Sequence, residues 1–337
     1  MGGAERICVT ISNLVFGAGY DVTVLELNGK GALGKELSNG VSRVDLERNN
    51  KFSVLHLWRL GKLLRKYDVI HIHMRHVYRY VFIANLIARK CLIFHDHFNQ
   101  FPTSPFQRFY FRTLLYRHVY IGVDQLGIIW AETYLKLRKS NIFNLPNVIL
   151  QVECKVEQKE NTILLVSNIK PEKNIEFVVP FATRMLKGNS ELKIDIVGAV
   201  SDQLYFEEIK KTLTLYDFAN RIQFITDVSA IQPMLGRYQL GLHFSKRESG
   251  PLVLLEYLSQ NLPFVSFYTG DISKKLEVDL PKFFLHDFNV DHWCDRVNNL
   301  LNRSISYPDL PAVFKKHNNV DAYLSSCLKV YHRVYAS

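Results

Sequence analysis

Glu248 and Glu256 are two carboxylates separated by seven residues in the segment Glu248-Ser249-Gly250-Pro251-Leu252-Val253-Leu254-Leu255-Glu256. Standing alone, such a pair is a solvated loop charge and a helix-surface charge. Its surroundings say more. Gln239-Leu240-Gly241-Leu242-His243-Phe244 before it reads as a buried strand, and Pro263-Phe264-Val265-Ser266-Phe267 after it reads as another. The segment is therefore the strand-to-helix crossing of a βαβ unit, where open α/β sheets bind ligands. Ser249 is a good N-cap and Pro251 a good first helical residue, so a helix is predicted from about Leu252. Around Gly250, Leu252 and Val253 its free N–H groups and positive dipole end form an anion site, although Pro251 itself has no N–H to give. Glu256 lies just over one turn inside, and its side chain leans back toward the N-terminus, to the mouth of the same site. A carboxylate beside an anion site repels a bare phosphate. It suits a ligand that also carries hydroxyls. A sugar nucleotide has both: a diphosphate for the helix end, and sugar and ribose hydroxyls for the two acceptors.

A second constellation, His95-Asp96-His97, follows the strand Cys91-Leu92-Ile93-Phe94. A lone histidine is more often structural than functional. Two at the C-terminal end of a parallel strand lie where ligands bind. The spacing also raises a metal ion, but no third ligand has convincing spacing. The chain has no D-x-D pair to hold a divalent cation on a diphosphate either. The expectation is a reaction without a metal or other cofactor.

These groups need elements to hold them. Ile7 to Val15 has helical periodicity, ended by Gly17-Ala18-Gly19, and Asp21 to Leu27 reads as a strand. Those glycines lack a third partner and lie at a helix end, so they are no dinucleotide fingerprint. A helix over 52–66, a strand over 68–73, a helix over about 78–89, the strand at 91–94, a strand over 119–123 and a helix over 125–138 follow, and 142–147 closes the first half. Strands over 162–166, 192–198 and 222–227 follow, with a helix after the loop at 167–174 and a short one over 229–236. Helices over 290–302 and 319–335 end the chain. This βαβ alternation in 337 residues predicts two domains, 1–148 and 149–318, with the helix 319–335 after them. The hydrophobic fraction of 47% supplies a real core, and no apolar run is long enough to span a bilayer. No secretory leader is visible. Five scattered cysteines without C-x-x-C spacing read as reduced cytosolic thiols. A net charge of +10 suits a polyanionic or membrane-surface partner.

The segment at 245–267 resembles the signature of the retaining GT-B glycosyltransferases of family 4, S-x-x-E-G-F-G-L-x-x-x-E followed by G-x-P-V-V. Ser245, Glu248, Leu252, Glu256 and Asn261-Leu262-Pro263-Phe264-Val265 match it, while Ser249 and Pro251 stand where the family has glycines. Further likenesses are Asp68-Val69-Ile70-His71-Ile72-His73, the His95/His97 pair and Leu145-Pro146-Asn147 at the linker. The resemblance implies an α/β fold of two Rossmann-like domains facing a cleft, with the nucleotide sugar bound mainly by the second and the last helix, 319–335, joining the first. It implies that Lys173 clamps the donor diphosphate, with Asn168 where the family has an arginine. It places Thr226 to Val228 near the nucleobase, Glu256 on the ribose, Glu248 on the sugar hydroxyls and the developing positive charge, and His95 near the reacting carbon. Gly2, Gly3, His73, His97 and Arg75 fall on the acceptor side.

The expectation is thus a retaining glycosyltransferase using a UDP- or GDP-sugar, with a glycan or lipid-linked glycan acceptor, as in surface polysaccharide biosynthesis. Its place is the cytoplasm, with peripheral contact to the inner membrane face through Arg75, Arg79, Arg108, Arg112 and Tyr110; a nucleic-acid partner is not expected. A GT-B epimerase and a catalytically silent nucleotide-sugar-binding protein stay open. Finally, Met1-Gly2-Gly3-Ala4-Glu5-Arg6 reads as the interior of a glycine loop, so the expectation is an internal methionine with the first strand of the sheet upstream, the alternative being a domain that lacks this strand and closes the gap with its neighbours.

Overall fold

The computed structural model describes residues 3–27, 29, 32–48, 53–97, 101–102, 104–153, 160–228 and 230–336. Gly2 and Cys154 lie outside the described residues. The chain divides into unit 1, residues 1–148 with 320–337, and unit 2, residues 149–319.

Unit 1 opens with the helix Gly3–Gly17. β1 (Thr23–Glu26) pairs in parallel with β2 (Ser42–Asp45). β3 (Ile70–His73), β4 (Leu92–Asp96), β5 (Val119–Gly122) and β6 (Ile142–Asn144) form a separate four-stranded parallel sheet in that order. Strands covered on both faces read as near-continuous apolar runs, and every residue of β4 and β5 is buried. Ser53 caps the helix Val54–Leu64, accepting from the His56 N–H. That helix lies against the helix Arg75–Ala88 at Gly61, where a Cβ would come 2.7 Å from the Ala84 carbonyl oxygen. Tyr78, Phe94, Tyr120 and Trp130 fill the core. The helix expected over 125–138 is shorter: an α-turn Gln125–Ile129 passes into a π-turn that ends at Tyr134. The reason is local, because the Leu135 N–H reaches Trp130 and Lys136 takes a left-handed φ of 51°.

Unit 2 is one six-stranded parallel sheet. Its strands are β7 (Thr162–Val166), β8 (Lys193–Val197), β9 (Ile222–Ile225), β10 (Leu240–His243), β11 (Phe264–Phe267) and β12 (Phe284–Leu285), in the spatial order β12-β11-β10-β7-β8-β9. From β7 the chain winds to one side through β8 and β9, then returns to start β10 on the other. The boundary between β7 and β10 is therefore the topological switch point of a Rossmann-type sheet, whose carboxyl end is its natural ligand crevice. The helices Gln203–Leu213, Gly270–Asp279 and Leu310–His317 were not expected. Each buries only two or three residues, so apolar periodicity is faint, and the first and third start at Asp202 and Asp309 caps instead. The helix expected over 229–236 is a 3₁₀ segment, Gln232–Arg237, since Pro233 near its start cannot donate to an α-helical ladder.

Candidate functional site

Two loops meet at the switch point. After β7 the chain passes Ser167 and Asn168, and here Gly198 is required: a Cβ on it would sit 2.0 Å from the Ser167 carbonyl oxygen. Pro171–Lys173 form a 3₁₀ turn, closed by the Lys173 N–H on the Lys170 carbonyl at 3.0 Å. Asn174 ends it in the left-handed region at φ 55°. The loop after β10 is laced to this turn, because the Ser245 hydroxyl and the Lys246 N–H both donate to the Glu172 carbonyl, at 3.4 and 3.3 Å.

That lacing brings Lys173 Nζ into an ion pair with Glu248 Oε1. The same oxygen lies 3.4 Å from His243 Nε2. On its other side, His243 Nδ1 lies 2.9 Å from Ser266 Oγ, whose hydroxyl also reaches the Phe267 carbonyl. Glu248 is held from its backbone too: its N–H donates to Thr269 Oγ1 at 3.1 Å, and the Asp271 N–H donates to the Ser249 carbonyl at 2.8 Å. Gly270 makes this approach possible with φ +79°, and a Cβ there would lie 2.9 Å from the Ser249 oxygen. Burial by itself raises the Glu248 carboxyl, but the His243 hydrogen bond and the Lys173 charge outweigh it and hold the group at about 2.

The helix after this loop spans Leu252–Ser259. Ser249 is not its cap. Pro251 occupies that place with ψ 96° and no side-chain bond, and Ser249 is drawn instead to the Asp271 N–H. Pro251 therefore precedes the helix rather than beginning it. Gly250 packs under Ile272, where an added Cβ would come within 3.3 Å. Leu252 and Val253 are half-buried at the first turn, and Glu256 is buried. Next to it, the Tyr257 hydroxyl accepts from the Val166 N–H at 3.2 Å and donates to the Leu242 carbonyl at 3.0 Å, tying β7 to β10 directly under the site. Thr226 follows β9 and Asn168 follows β7, both half-buried on the same sheet edge. His243, Ser266 and Tyr257 were not singled out from sequence. His243, at the end of the strand before Glu248, was the one visible signal.

Unit 1 gathers the histidines. Residues 71, 73, 95 and 97 share one face of β3 and β4, because His73 registers with His95. The rings of His71 and His73, of His95 and His97, and of His73 and His97 stack. His95 is wholly buried. Burial, and then neighbouring imidazoles, hold His71 down at about 3 and His73 and His95 well below their usual range; burial alone holds His97 at about 4. The third imidazole that spacing did not supply is His71, two strand residues before His73. Arg75 is not a surface cation as expected. Its guanidinium pairs at 2.8 Å with Asp96, whose buried carboxylate requires a counter-charge. Gly3 is exposed at the start of the first helix.

Comparison with known proteins places these units. The family model of the glycosyl transferases group 1 matches residues 151–319, and that of glycosyltransferase family 4 matches residues 1–125. An uncharacterized glycosyltransferase of Haemophilus influenzae is 23% identical over 304 residues, 86% of this chain and 83% of that protein. The crystal structure of Anabaena HepE in complex with UDP and glucose superposes with a TM-score of 0.79 at 16% identity, covering 97% of this chain and 95% of that one. The lipopolysaccharide outer core galactosyltransferase WaaB, in its apo form, gives 0.66 at 16% identity, covering 99% and 96%.

Proposed function

The chain belongs to the group 1 glycosyl transferases, and from that premise we propose that it is a retaining enzyme carrying a sugar from a nucleotide-sugar donor to a glycan or lipid-linked glycan, as in surface polysaccharide biosynthesis. The observation that carries this reading is the Lys173–Glu248 pair at the switch point of unit 2. Lys173 and the amides at Leu252 and Val253 hold the diphosphate, with Asn168 and Thr226 beside the donor. Glu248 orients the sugar hydroxyls and favours positive charge at the anomeric carbon. Glu256 holds the ribose. The bond from the anomeric carbon to the diphosphate breaks, the acceptor oxygen bonds that carbon on the same face, and the acceptor proton passes to the departing diphosphate. Fixed positive groups around that leaving group supply the main stabilisation, with no cation needed on the diphosphate. The Anabaena neighbour holds UDP and glucose, which makes UDP-glucose the first donor to try.

Acceptors of lipid-linked type call for a membrane surface. Among the described residues no helix is long and apolar enough to cross one. The helix Pro105–Leu115 instead exposes Phe106, Phe109 and Tyr110 beside Arg112, with Arg79 over the Tyr110 ring. Aromatic side chains among arginines suit the anionic inner face of the cytoplasmic membrane.

The test is a reaction of nucleotide sugars with glycan and lipid-linked acceptors, read by NMR at the new anomeric centre, with Mg²⁺ and Mn²⁺ withheld and then added. Transfer with retained configuration at equal rates is expected. An inverted product, an epimerised donor without transfer, or binding without turnover would each overturn the reading.

A further inference from the structure

Outside the switch-point site, four imidazoles share one face of β3 and β4 at the carboxyl end of the strands. Ring centroids of His71 and His95, and of His73 and His95, lie 5.2 Å apart, and those of His95 and His97 lie 4.2 Å apart. One candidate ligand nitrogen from each of His71, His73 and His95 lies within 4.8 Å of the other two. Tetrahedral zinc with Zn–N bonds of about 2.0–2.1 Å sets its ligand nitrogens about 3.3 Å apart. His71 Nε2 and His95 Nδ1 are already 3.2 Å apart. The remaining separations close by at most about 1.5 Å to reach that geometry, the scale of an imidazole ring turn.

Hydrogen bonding leaves the cluster one group short. The Tyr331 hydroxyl meets His71 Nδ1 at 2.8 Å, and His71 Nε2 meets His95 Nδ1. The chain then stops at His95 Nε2, which is buried and finds no hydrogen-bond partner among the described residues. Whichever way the protons run along Tyr331, His71 and His95, that nitrogen ends the chain as an unpaired N–H or an unpaired lone pair. In a site built on His71 Nε2 and His95 Nδ1 this nitrogen stays outside the coordination sphere as an N–H, so it calls for a hydrogen-bond acceptor such as an ordered water behind the bound ring. Tyr331 meanwhile fixes the orientation of His71 through Nδ1, as the hydrogen-bond partners of metal-bound histidines do.

We propose that His71, His73 and His95 form a binding site for a borderline-soft divalent transition cation, Zn²⁺ first, with a fourth position open. An all-imidazole donor set suits zinc, copper or nickel and disfavours Mg²⁺ and Ca²⁺, which take oxygen ligands. The ligands come from unit 1 alone, whereas the donor diphosphate is assigned to residues of unit 2.

Untagged protein is stripped with chelator, titrated with Zn²⁺ against a competing chelator, and loaded with Co²⁺ for absorption spectroscopy. One equivalent of Zn²⁺, a rise in Tm on binding, and intense visible bands of tetrahedral Co²⁺ are expected. His95→Gln abolishes all three. Tyr331→Phe, which spares the ligands, weakens Zn²⁺ by about 10–100-fold, while His286→Ala, outside the cluster, changes nothing. Should His95→Gln fail to fold, the cobalt spectrum of the unaltered protein and the Tyr331→Phe affinity decide. Octahedral Co²⁺ bands, no stoichiometric binding, or Zn²⁺ affinity unchanged in a folded His95→Gln or in Tyr331→Phe would overturn the proposal.

Discussion

Lys173 Nζ is paired with Glu248 Oε1 across the switch point between β7 and β10, and His243 Nε2 stands 3.4 Å from the same oxygen. The cation assigned to the donor diphosphate is thus neutralised by the carboxylate assigned to the donor sugar. Under the proposed donor assignment a diphosphate would have to compete for Lys173, and its arrival would free Glu248 to meet the sugar.

Glu248→Gln removes the competitor and keeps the shape. Donor binding is expected to stay equal or tighten, while kcat falls by about 100–1,000-fold, the scale for losing one preorganised stabiliser. Calorimetry with donor and steady-state rates separate the two effects. Unchanged kcat would remove Glu248 from the reaction.

Acid should reveal the same pair. The carboxyl of Glu248 lies at about 2 when folded, below its ordinary 4.5. A depressed carboxylate adds stability that is fully present above about pH 4.5 and is lost as pH falls toward about 2. The stability difference between the unaltered protein and Glu248→Gln, read by urea unfolding, should therefore shrink on acidification through that window, by on the order of 2–3 kcal/mol. A difference constant with pH would mean the carboxylate is not held down.

Tyr257→Phe deletes the hydroxyl that bridges the Val166 N–H and the Leu242 carbonyl. Both backbone groups lose a buried partner, and a loss of about 1–3 kcal/mol is expected in denaturant unfolding. Gly241→Ala should also destabilise, because its Cβ would fall 2.6 Å from the Tyr257 ring. Unaltered midpoints in both variants would show that the strands are held otherwise.

Flotation with anionic vesicles at low salt is expected to carry the protein upward. Replacing Phe106 and Phe109, 78% and 70% exposed, with serine should abolish flotation without lowering Tm. Flotation equal in the double variant would move the membrane face elsewhere.

Much of this was legible in sequence. β7 and β10 announce themselves as apolar runs, and the Ser-Gly-Pro turn between Glu248 and Leu252 marks the crossing. Lys173 was reached through resemblance alone, since a loop lysine has no periodicity to betray it. What sequence hid lies in partners distant along the chain. Glu248 with Lys173, His243 with Ser266, and His71 with Tyr331 are brought together only by parallel strand order and helix docking. Arg75 looked like a surface charge because Asp96 points to the opposite face of β4 from His95, a fact that needs the pleat and the register. The cap at Ser249 failed for a similar reason: its carbonyl is claimed by the Asp271 N–H, from a helix that weak periodicity concealed.

The most direct measurement is the dissociation constant of UDP and of GDP, by calorimetry, for the unaltered protein, Lys173→Ala and Glu256→Ala. One nucleotide should bind the unaltered protein, and Lys173→Ala should weaken it at least about tenfold, about 1.4 kcal/mol of lost diphosphate contact, with Glu256→Ala weakening it through the ribose. Equal affinity in Lys173→Ala, or no binding of either nucleotide, would contradict a donor site at the β7–β10 switch point.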